Sequence, residues 1–369
     1  MFEQADSKAA IVVDPFSAGQ VIVQQLVEKG YDVVAVVADV PEAFFDGTTY
    51  NPEALDDCHS TIFYDGSKDE LVASLRALGR KFDIVMVGSA TGMELTDFLA
   101  NEFGCRGNPL ESSALRHNKS ETINAVRQAG LRAPEQIVAR TWGEVESALA
   151  KCVNNMDVVI KPSKSGGGDD VYRCQSLEQV RTAFDAINGM ENPIGIQNEG
   201  IMISELIRGP EYCVDVLSRD GEHKVCSIWA TDVRVMENGV IVYFGSYFVD
   251  MADSRFDGLV EYTYKVLDAM EVRNGPATVD VVLGEDGPVL IGADSRCNGF
   301  SGCWVPVAQR MNGFDQITAA VSLYTDSDSF SKIPSRPRQR CKGMLCCLVS
   351  HQSGVLYDIP GEILVRSLP

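Results

Sequence analysis

Length, composition and charge limit what this chain can be. It has 369 residues, of which 45% are hydrophobic and 23% charged, a balance that is typical of globular proteins and excludes a disordered chain. About two or three domains are expected at this length. The formal net charge of −20 argues against nucleic acid or an anionic membrane as a partner, because both would be repelled.

Targeting signals and metal-binding spacings are not visible in the sequence. No apolar run reaches the roughly 18 residues that span a bilayer, and the first residues, MFEQADSKAA, lack the regions of a secretory signal. We therefore expect a cytoplasmic protein. The 11 cysteines and four histidines lack zinc-site spacing, which predicts buried thiols in a reducing compartment.

The first third of the chain alternates apolar strands with helices. A strand over residues 9–15 is followed by a helix with Ser17 as expected N-cap and Gly30 as expected end, and a further strand covers residues 82–90. This alternation predicts a parallel sheet covered on both faces. The turn DPFSAGQ has a single glycine and lacks the dinucleotide fingerprint. We predict a Rossmann-like domain over residues 1–114 without a nucleotide site of its own.

Residues 115–199 predict a compact α+β unit around a glycine-rich loop. In VVIKPSKSGGGDD an apolar strand ends in Lys161 and runs into three consecutive glycines. By itself this stretch fits two interpretations equally: a surface strand with a loose loop, or a cradle in which a fixed ammonium and glycine N–H groups hold phosphate. A Walker loop is excluded, because here the lysine precedes the glycines and the loop joins two strands.

The pattern changes from residue 200 onward to antiparallel hairpins. Turns at Asp220-Gly221 and Asp286-Gly287 each separate two apolar strands, and an amphipathic helix lies between the hairpins at residues 255–272. We predict a third, antiparallel unit over residues 200–369.

The order of these motifs resembles the ATP-grasp superfamily of carboxylate–amine ligases, and within it the L-amino-acid ligases that make dipeptides. The motifs that carry the resemblance are VVDPFSAG, VGSATGMELTDFLANEFGCRGNP, RHNKSETINAVRQAGL, VVIKPSKSGGGDDV, ISELIRGPEYCVDV and GPATVDVVLGEDGPVLIGADSRCNG. The resemblance implies an ATP-grasp fold, α/β plus α+β, with ATP clamped between two lobes under a glycine-loop lid. It also implies a longer final lobe, so that the end at GEILVRSLP is expected to be either truncated or unusually short.

The resemblance implies which residues hold the nucleotide. Lys161 and Lys119 would bind phosphate oxygens, and Glu211 would accept hydrogen bonds from the ribose. Backbone N–H groups would close over the phosphates from Ser165, Gly166, Gly167 and Gly168. Backbone groups around Glu205, Leu206 and Ile207 would meet the adenine edge. Without the resemblance, Lys119 would be interpreted as a solvated helix lysine and Glu211 as a carboxylate at the start of a strand.

The metal strand departs from the family pattern. Asp280 lies among apolar residues and, by resemblance, binds Mg²⁺, with Mn²⁺ as an expected substitute. The family has a glutamate where this chain has Gly292, and Asp294 can supply a carboxylate from the same face of the strand because side chains alternate. Arg296, and secondarily Arg234, would stabilise the transferring phosphoryl group. Asn298 and the GFSGCW turn would line the substrate end.

The leading hypothesis is an ATP-dependent ligase. It would phosphorylate a carboxylate, which the resemblance alone implies to be that of an amino acid, and an amine would then displace phosphate from the acyl phosphate to form an amide. Gly292 motivates a second hypothesis, a nucleotide-binding protein with a degraded metal site and a regulatory or scaffold role. A third is another ATP-grasp branch, such as a carboxylase or a D-amino-acid ligase. The expected partners are small-molecule substrates, and a homodimer is among the expected assemblies.

Overall fold

Three sheets organise the protein in the chain order predicted. The computed structural model describes residues 8–38, 52–151, 156–162, 170–192, 197–335, 337–350, 358 and 361. Within these residues each sheet has its own set of helices. Every helix in this part of the chain is too short or too polar to cross a membrane.

The first sheet is parallel, with both faces covered. Its strands are β1 (Ala9–Val13), β2 (Asp32–Val37), β3 (Ser60–Phe63) and β4 (Phe82–Val87), in the order β3-β2-β1-β4. Its helices are α1 (Ala18–Glu28), α2 (Lys68–Ala77) and α3 (Met93–Glu102). Alternate residues of β1 belong to two different cores, one shared with α1 and the other with α2 and α3, as a continuous apolar strand requires. Gly30 has φ +81° just beyond α1, which confirms the predicted helix end.

The second sheet is antiparallel and has a core of its own. Its strands are β5 (Gln136–Ala139), β6 (Val158–Pro162), β7 (Tyr172–Cys174) and β8 (Ile201–Glu205), in the order β5-β8-β6-β7. Helices α6 (Trp142–Lys151) and α7 (Leu177–Ile187) pack in this core. Helices α4 (Ala114–His117) and α5 (Lys119–Gln128) precede the sheet in the chain, and α5 packs instead in the core of the third sheet. The predicted change at residue 200 is corrected here: β8 lies between β5 and β6, so the third sheet begins only after Glu205.

The third sheet is antiparallel and carries most of the polar residues considered below. Its order is β13-β12-β9-β10-β11-β14, with β9 (Glu211–Arg219), β10 (Glu222–Val235), β11 (Ile241–Phe248), β12 (Gly275–Gly284), β13 (Gly287–Asp294) and β14 (Met344–Cys346). The helices are α8 (Asp257–Ala269), α9 (Val305–Asn312), α10 (Gln316–Thr325) and α11 (Ser329–Lys332). One core joins this sheet to α1 of the first sheet and to α5, whereas the second sheet has a separate core.

Backbone hydrogen bonds hold the second sheet against the third. Arg173 N donates to Gly239 O at 2.9 Å, and Ile241 N donates to Val171 O at 2.9 Å. The turn between β10 and β11 therefore extends the edge of the second sheet beside β7. This contact, together with the connection from β8 to β9, fixes β6 relative to β9, β12 and β13.

Candidate active site

Strand register places the predicted carboxylates side by side on the third sheet. Asp280 on β12 lies opposite Gly292 on β13 and opposite Cys213 on β9, while Thr278 lies opposite Asp294. Asp280 and Asp294 therefore occupy diagonal positions on one face, because residues two apart on a strand share a face.

Asp280 is a partly buried carboxylate beside a second negative charge. Burial, and then the nearby Asp294 carboxylate, raise the pKa of Asp280 from 3.8 to about 6. The Cys213 thiol hydrogen-bonds to it, and the positive charges of Arg296 and Lys119 oppose the rise. Such a carboxylate favours a cation as its neighbour.

Position 292 faces Asp280, as the family pattern requires of its usual glutamate. A Cβ atom on Gly292 would lie 3.5 Å from the Asp280 Oδ2 atom. A longer acidic side chain there would thus add a carboxylate beside Asp280. In this chain the space is open, and the nearest acidic replacement on the same strand face is Asp294.

Lys161 reaches from the second sheet to the third. It lies on β6, and its ammonium donates to the Ile291 carbonyl on β13 at 3.4 Å. Burial and the neighbouring Lys119 ammonium lower the pKa of Lys161 to about 8, while Asp280 and Glu211 act in the opposite direction. The Lys161 ammonium, near the end of β6, therefore points into the space between the two sheets.

Lys119 is the first residue of α5, where a lysine does little for the helix itself. Asn118 caps the helix by accepting from the N–H groups of Ser120 and Glu121. A positive charge at a helix N-terminus opposes the helix dipole. Its electrostatic influence on both Lys161 and Asp280 places it at the cleft rather than in open solvent.

Glu211 belongs to the same cluster. Burial, and then Asp280, raise the pKa of Glu211 from 4.5 to about 7, opposed by Tyr243 and Lys161. The Tyr243 hydroxyl on β11 donates to the Glu211 Oε1 atom at 3.3 Å. Sequence reasoning missed Tyr243, since a tyrosine inside a strand carries no local signal of a polar role.

Arg296 lies at the opposite side of the cluster, paired with a predicted metal ligand. Its Nη2 atom donates to Asp294 Oδ2 at 2.7 Å, and its Nη1 atom donates to the Cys297 carbonyl at 3.0 Å. The two residues predicted for metal and phosphoryl binding thus partly neutralise each other.

Asp215 was also missed, although it has the same signal as Asp280, a carboxylate in an apolar strand. It is fully buried on β9 and accepts hydrogen bonds from Ser227 at 2.5 Å, Trp229 at 2.8 Å and Asn298 at 3.2 Å. Asn298 also donates to the Cys213 sulfur at 3.4 Å. Asp215 therefore anchors the loop that follows Arg296.

Arg234 does not join the cluster. It is exposed, pairs with Asp232 at 2.7 Å, and its guanidinium lies 4.2 Å from the centre of the Phe244 ring. The preceding residue on β11, Tyr243, reaches Glu211. Consecutive residues on a strand point to opposite faces, so Arg234 and Glu211 lie on opposite faces of the sheet.

The predicted adenine segment is partly engaged by the protein itself. The Glu205 N–H donates to the Glu135 carbonyl at 2.9 Å, and the Glu205 side chain pairs with Arg132 at 2.5 Å. That N–H group is therefore unavailable to a purine. Leu206 and Ile207 follow β8 in the connection to β9, and their contact with adenine stays a prediction. Ser165, Gly166, Gly167 and Gly168 lie outside the described residues.

The arrangement fits a phosphate chain bound with a divalent cation. The Lys119 ammonium lowers the pKa of Lys161, and on the adjacent sheet the Asp294 carboxylate raises the pKa of Asp280. In the described part of the chain no group of three His, Cys, Asp or Glu is placed to hold a metal alone. Phosphate oxygens would complete a magnesium site that begins with two carboxylates.

Comparisons with known proteins agree with this geometry. A family described as "ATP-grasp domain" matches residues 154–303. The chain is 27% identical over 296 residues to dapdiamide A synthase from Enterobacter agglomerans, covering 80% of this chain and 68% of that protein. It is 20% identical over 247 residues to the L-arginine-specific L-amino acid ligase from Bacillus subtilis, covering 66% of this chain and 59% of that protein.

Solved structures extend the similarity to nearly the whole chain. An L-amino acid ligase from Bacillus licheniformis superposes with a TM-score of 0.74 at 18% identity, covering 98% of this chain and 85% of that chain. A carboxyaminoimidazole ribonucleotide synthase from Aspergillus clavatus, complexed with ATP, gives a TM-score of 0.67 at 16% identity, covering 92% and 82%. The protein therefore contains an ATP-grasp domain and has the ATP-grasp fold that its motifs predicted.

Proposed function

We propose that this protein is an ATP-dependent carboxylate–amine ligase. The γ-phosphate of ATP passes to a substrate carboxylate, giving ADP and an acyl phosphate, and an amine then displaces phosphate to form an amide. The names of two relatives, dapdiamide A synthase and L-amino acid ligase, support this reaction class. They also support amino acids as substrates and placement in the L-amino-acid ligase branch.

The observation that carries the proposal is the set of opposed charges between the second and third sheets. The Lys119 ammonium is near enough to lower the pKa of Lys161, and the Asp294 carboxylate is near enough to raise the pKa of Asp280. Triphosphate between the lysines and a cation between the carboxylates would relieve both repulsions together.

Each side chain then has a distinct task. Lys161 and Lys119 hold phosphate oxygens, and Arg296 stabilises the charge that develops on the transferring phosphoryl group. Asp280 and Asp294 would hold Mg²⁺, which when bound supplies charge neutralisation to the phosphates. Leu206 and Ile207 would meet the adenine, and Glu211, inside the charge cluster, would reach the ribose. Replacement of Mg²⁺ by Mn²⁺, a cytoplasmic location and a homodimer are part of the same proposal.

Gly292 supports a second candidate, a nucleotide-binding protein without ligase activity. The position faces Asp280 but offers no carboxylate, and Asp294 is already paired with Arg296 at 2.7 Å. Such a protein would bind the nucleotide and release no phosphate with any substrate pair.

A panel of amino-acid pairs with ATP and Mg²⁺ tests the proposal, scored for phosphate release and for the mass of the product. The ligase predicts release that depends on both substrates and a product heavier by the second amino acid less water. The Lys161→Met variant serves as the inactive control. Nucleotide binding by calorimetry without phosphate release across the panel would favour the second candidate, and absence of both would refute the nucleotide site.

A further inference from the structure

The loop that follows Arg296 meets the first helix of the chain. Ser301 N donates to the Ser17 hydroxyl oxygen at 3.2 Å, although 284 positions separate the two residues. A Cβ atom on Gly299 would lie 3.5 Å from Arg296 Nη1 and 3.8 Å from the Ser17 hydroxyl oxygen. The guanidinium, the loop and the serine are thus immediate neighbours.

Both sides of this contact have unfavourable backbone conformations. Ser17 has φ 55° and ψ −119°, while Phe300 and Ser301 have φ 54° and 49°. Residues other than glycine rarely occupy this region, and such strain persists only where the surrounding structure enforces it. Three residues with positive φ therefore meet at one junction.

Tight packing of the turn from β1 to α1 explains the conformation of Ser17. A Cβ atom on Gly88 would lie 2.2 Å from the Asp14 carbonyl oxygen, and one on Gly19 would lie 2.6 Å from Gly88 Cα. Only glycine allows the turn to approach the end of β4 this closely. The chain must therefore reverse sharply at Ser17 to begin the helix.

The hydroxyl of Ser17 is used for the loop rather than for the helix. An N-cap serine normally accepts a hydrogen bond from the first turn of its own helix, yet Ser17 makes no such bond. Its oxygen instead accepts from Ser301. The loop also packs on α1, since a Cβ atom on Gly302 would lie 3.0 Å from Val21 Cγ2.

Asp215 on the third sheet, together with Gln316 on α10 and Trp304 before α9, holds the same loop from its other side. The Asn298 N–H donates to Gln316 at 2.9 Å, and the Trp304 indole donates to the Gly299 carbonyl at 2.9 Å. Together with the bond from Asn298 to Asp215, these contacts fix the loop to the sheet. From the first unit, the Ser17 hydroxyl oxygen holds the loop by accepting the hydrogen bond of the Ser301 N–H.

We propose that Ser17 is a positioning residue that holds residues 299–303 so that Arg296 faces the transferring phosphoryl group. The inference rests on the proposed ligase function and extends it. The first unit, which has no predicted nucleotide site, would thereby take part in the chemical step. Loss of the hydroxyl would impair that step while nucleotide binding stayed intact.

Two variants of Ser17 separate the hydroxyl from the backbone strain. Ser17→Ala removes the hydroxyl and keeps the strain, whereas Ser17→Gly removes both. Without any ligand, amide hydrogen exchange of residues 299–303 should accelerate about tenfold in both variants, because the Ser301 N–H loses its acceptor. In turnover assays kcat should fall about tenfold in both, with the KM for ATP within about twofold of the parent. Ser17→Gly should have a Tm at or above that of the parent.

Glu271→Gly is the matched control for strain relief. Glu271 is exposed at the end of α8 with φ 55°, and the variant should raise Tm without changing exchange of the loop or kcat. Unchanged exchange and unchanged kcat in both Ser17 variants would overturn the inference. The inference would also be overturned if kcat fell only in Ser17→Ala, in proportion to a lower Tm, while Ser17→Gly kept the kcat of the parent. If no substrate pair supports turnover the proposed function fails, and the exchange experiment still decides whether Ser17 holds the loop.

Discussion

Asp215 and Asp280 lie on the same face of the third sheet, on neighbouring strands, and differ in their neighbours. Burial raises the pKa of each to about 6. Asp215 is surrounded by the donors of Ser227, Trp229 and Asn298. Asp280 has the Cys213 thiol as its hydrogen-bond partner and faces Asp294. A raised pKa therefore arises both in a satisfied structural carboxylate and in one that favours a cation.

Two lysines repeat the same contrast. Lys224 donates to the carbonyls of Phe330 at 2.9 Å and Ile333 at 3.0 Å, and its ammonium lies 4.6 Å from the centre of the Phe330 ring. Lys161 donates to the Ile291 carbonyl at 3.4 Å, and the nearby Lys119 ammonium lowers its pKa while Asp280 and Glu211 raise it. Charges with completed partners hold the fold together, whereas charges left beside like charges mark the place for a ligand.

The largest expected difference is between variants of the two lysines: replacing Lys161 should remove activity, and replacing Lys224 should lower stability. We expect Lys161→Met to remove turnover by at least about a thousandfold, since it deletes a phosphate ligand, and to retain or raise Tm because a repelled ammonium is lost. Lys224→Met should keep turnover and lose about 1–3 kcal/mol of unfolding free energy, because two carbonyls lose their donor. Calorimetric ATP affinity and thermal unfolding of both variants measure this. ATP affinity equal to the parent in Lys161→Met would make Lys161 a structural lysine.

Variants of Asp280 and Asp215 should differ in the same way, activity against stability, but by a smaller amount. Asp280→Asn is expected to lower turnover by about a hundredfold while raising Tm, since a charge beside Asp294 disappears. Asp215→Asn should instead lower the unfolding free energy by about 1–3 kcal/mol, because an amide cannot accept from all three donors. Urea unfolding and initial rates distinguish the two. Similar losses of stability in both variants would show that Asp280 is also structural.

The predicted metal ligand on β13 can be tested by removing the Asp294 carboxylate and then adding one at position 292. Asp294→Asn should cut turnover by about tenfold and raise the magnesium concentration needed for half-maximal rate, since a ligand charge is lost. Adding Gly292→Glu should recover part of that loss, because the new side chain would point at Asp280. Titration with Mg²⁺ at saturating ATP measures both changes. A rate and a magnesium dependence that match the parent in Asp294→Asn would remove Asp294 from the metal site.

The pH dependence of stability tests the surroundings of Asp280 without any substrate. The folded pKa of Asp280, about 6, lies above the ordinary 3.8, so the folded state binds this proton more tightly than the unfolded state. The resulting stabilisation is complete below about pH 4 and is lost as pH rises through about 6, to a total of about 3 kcal/mol. Asp280→Asn should flatten that decline, and Mg²⁺ with ATP should oppose it in the parent. Unfolding free energies across this range would contradict the assignment if the decline is as steep in the variant as in the parent.

Local pattern in the sequence determined much of the fold and part of the site. Apolar strands alternating with helices were enough to predict the parallel first unit, and the hairpin turns at Asp220 and Asp286 were enough to predict antiparallel strands. Asp280 stood out because a carboxylate in an apolar strand requires a partner. Lys161 stood out because a charge ended an apolar strand beside glycines. The resemblance of the motifs to ATP-grasp ligases supplied the fold and the roles.

Only the tertiary structure decided which strands became neighbours and which side chains met. β8 pairs with β5 and β6, which moved the beginning of the third sheet past Glu205. Arg234 and Glu211 were separated because strand pairing sent them to opposite faces, and the Glu205 N–H was taken by Glu135. The contact of Ser17 with Ser301 joins two distant parts of the chain. Sequence patterns report periodicity over a few residues, whereas register between distant strands and the compensation of buried charge depend on contacts that form only when the chain is folded.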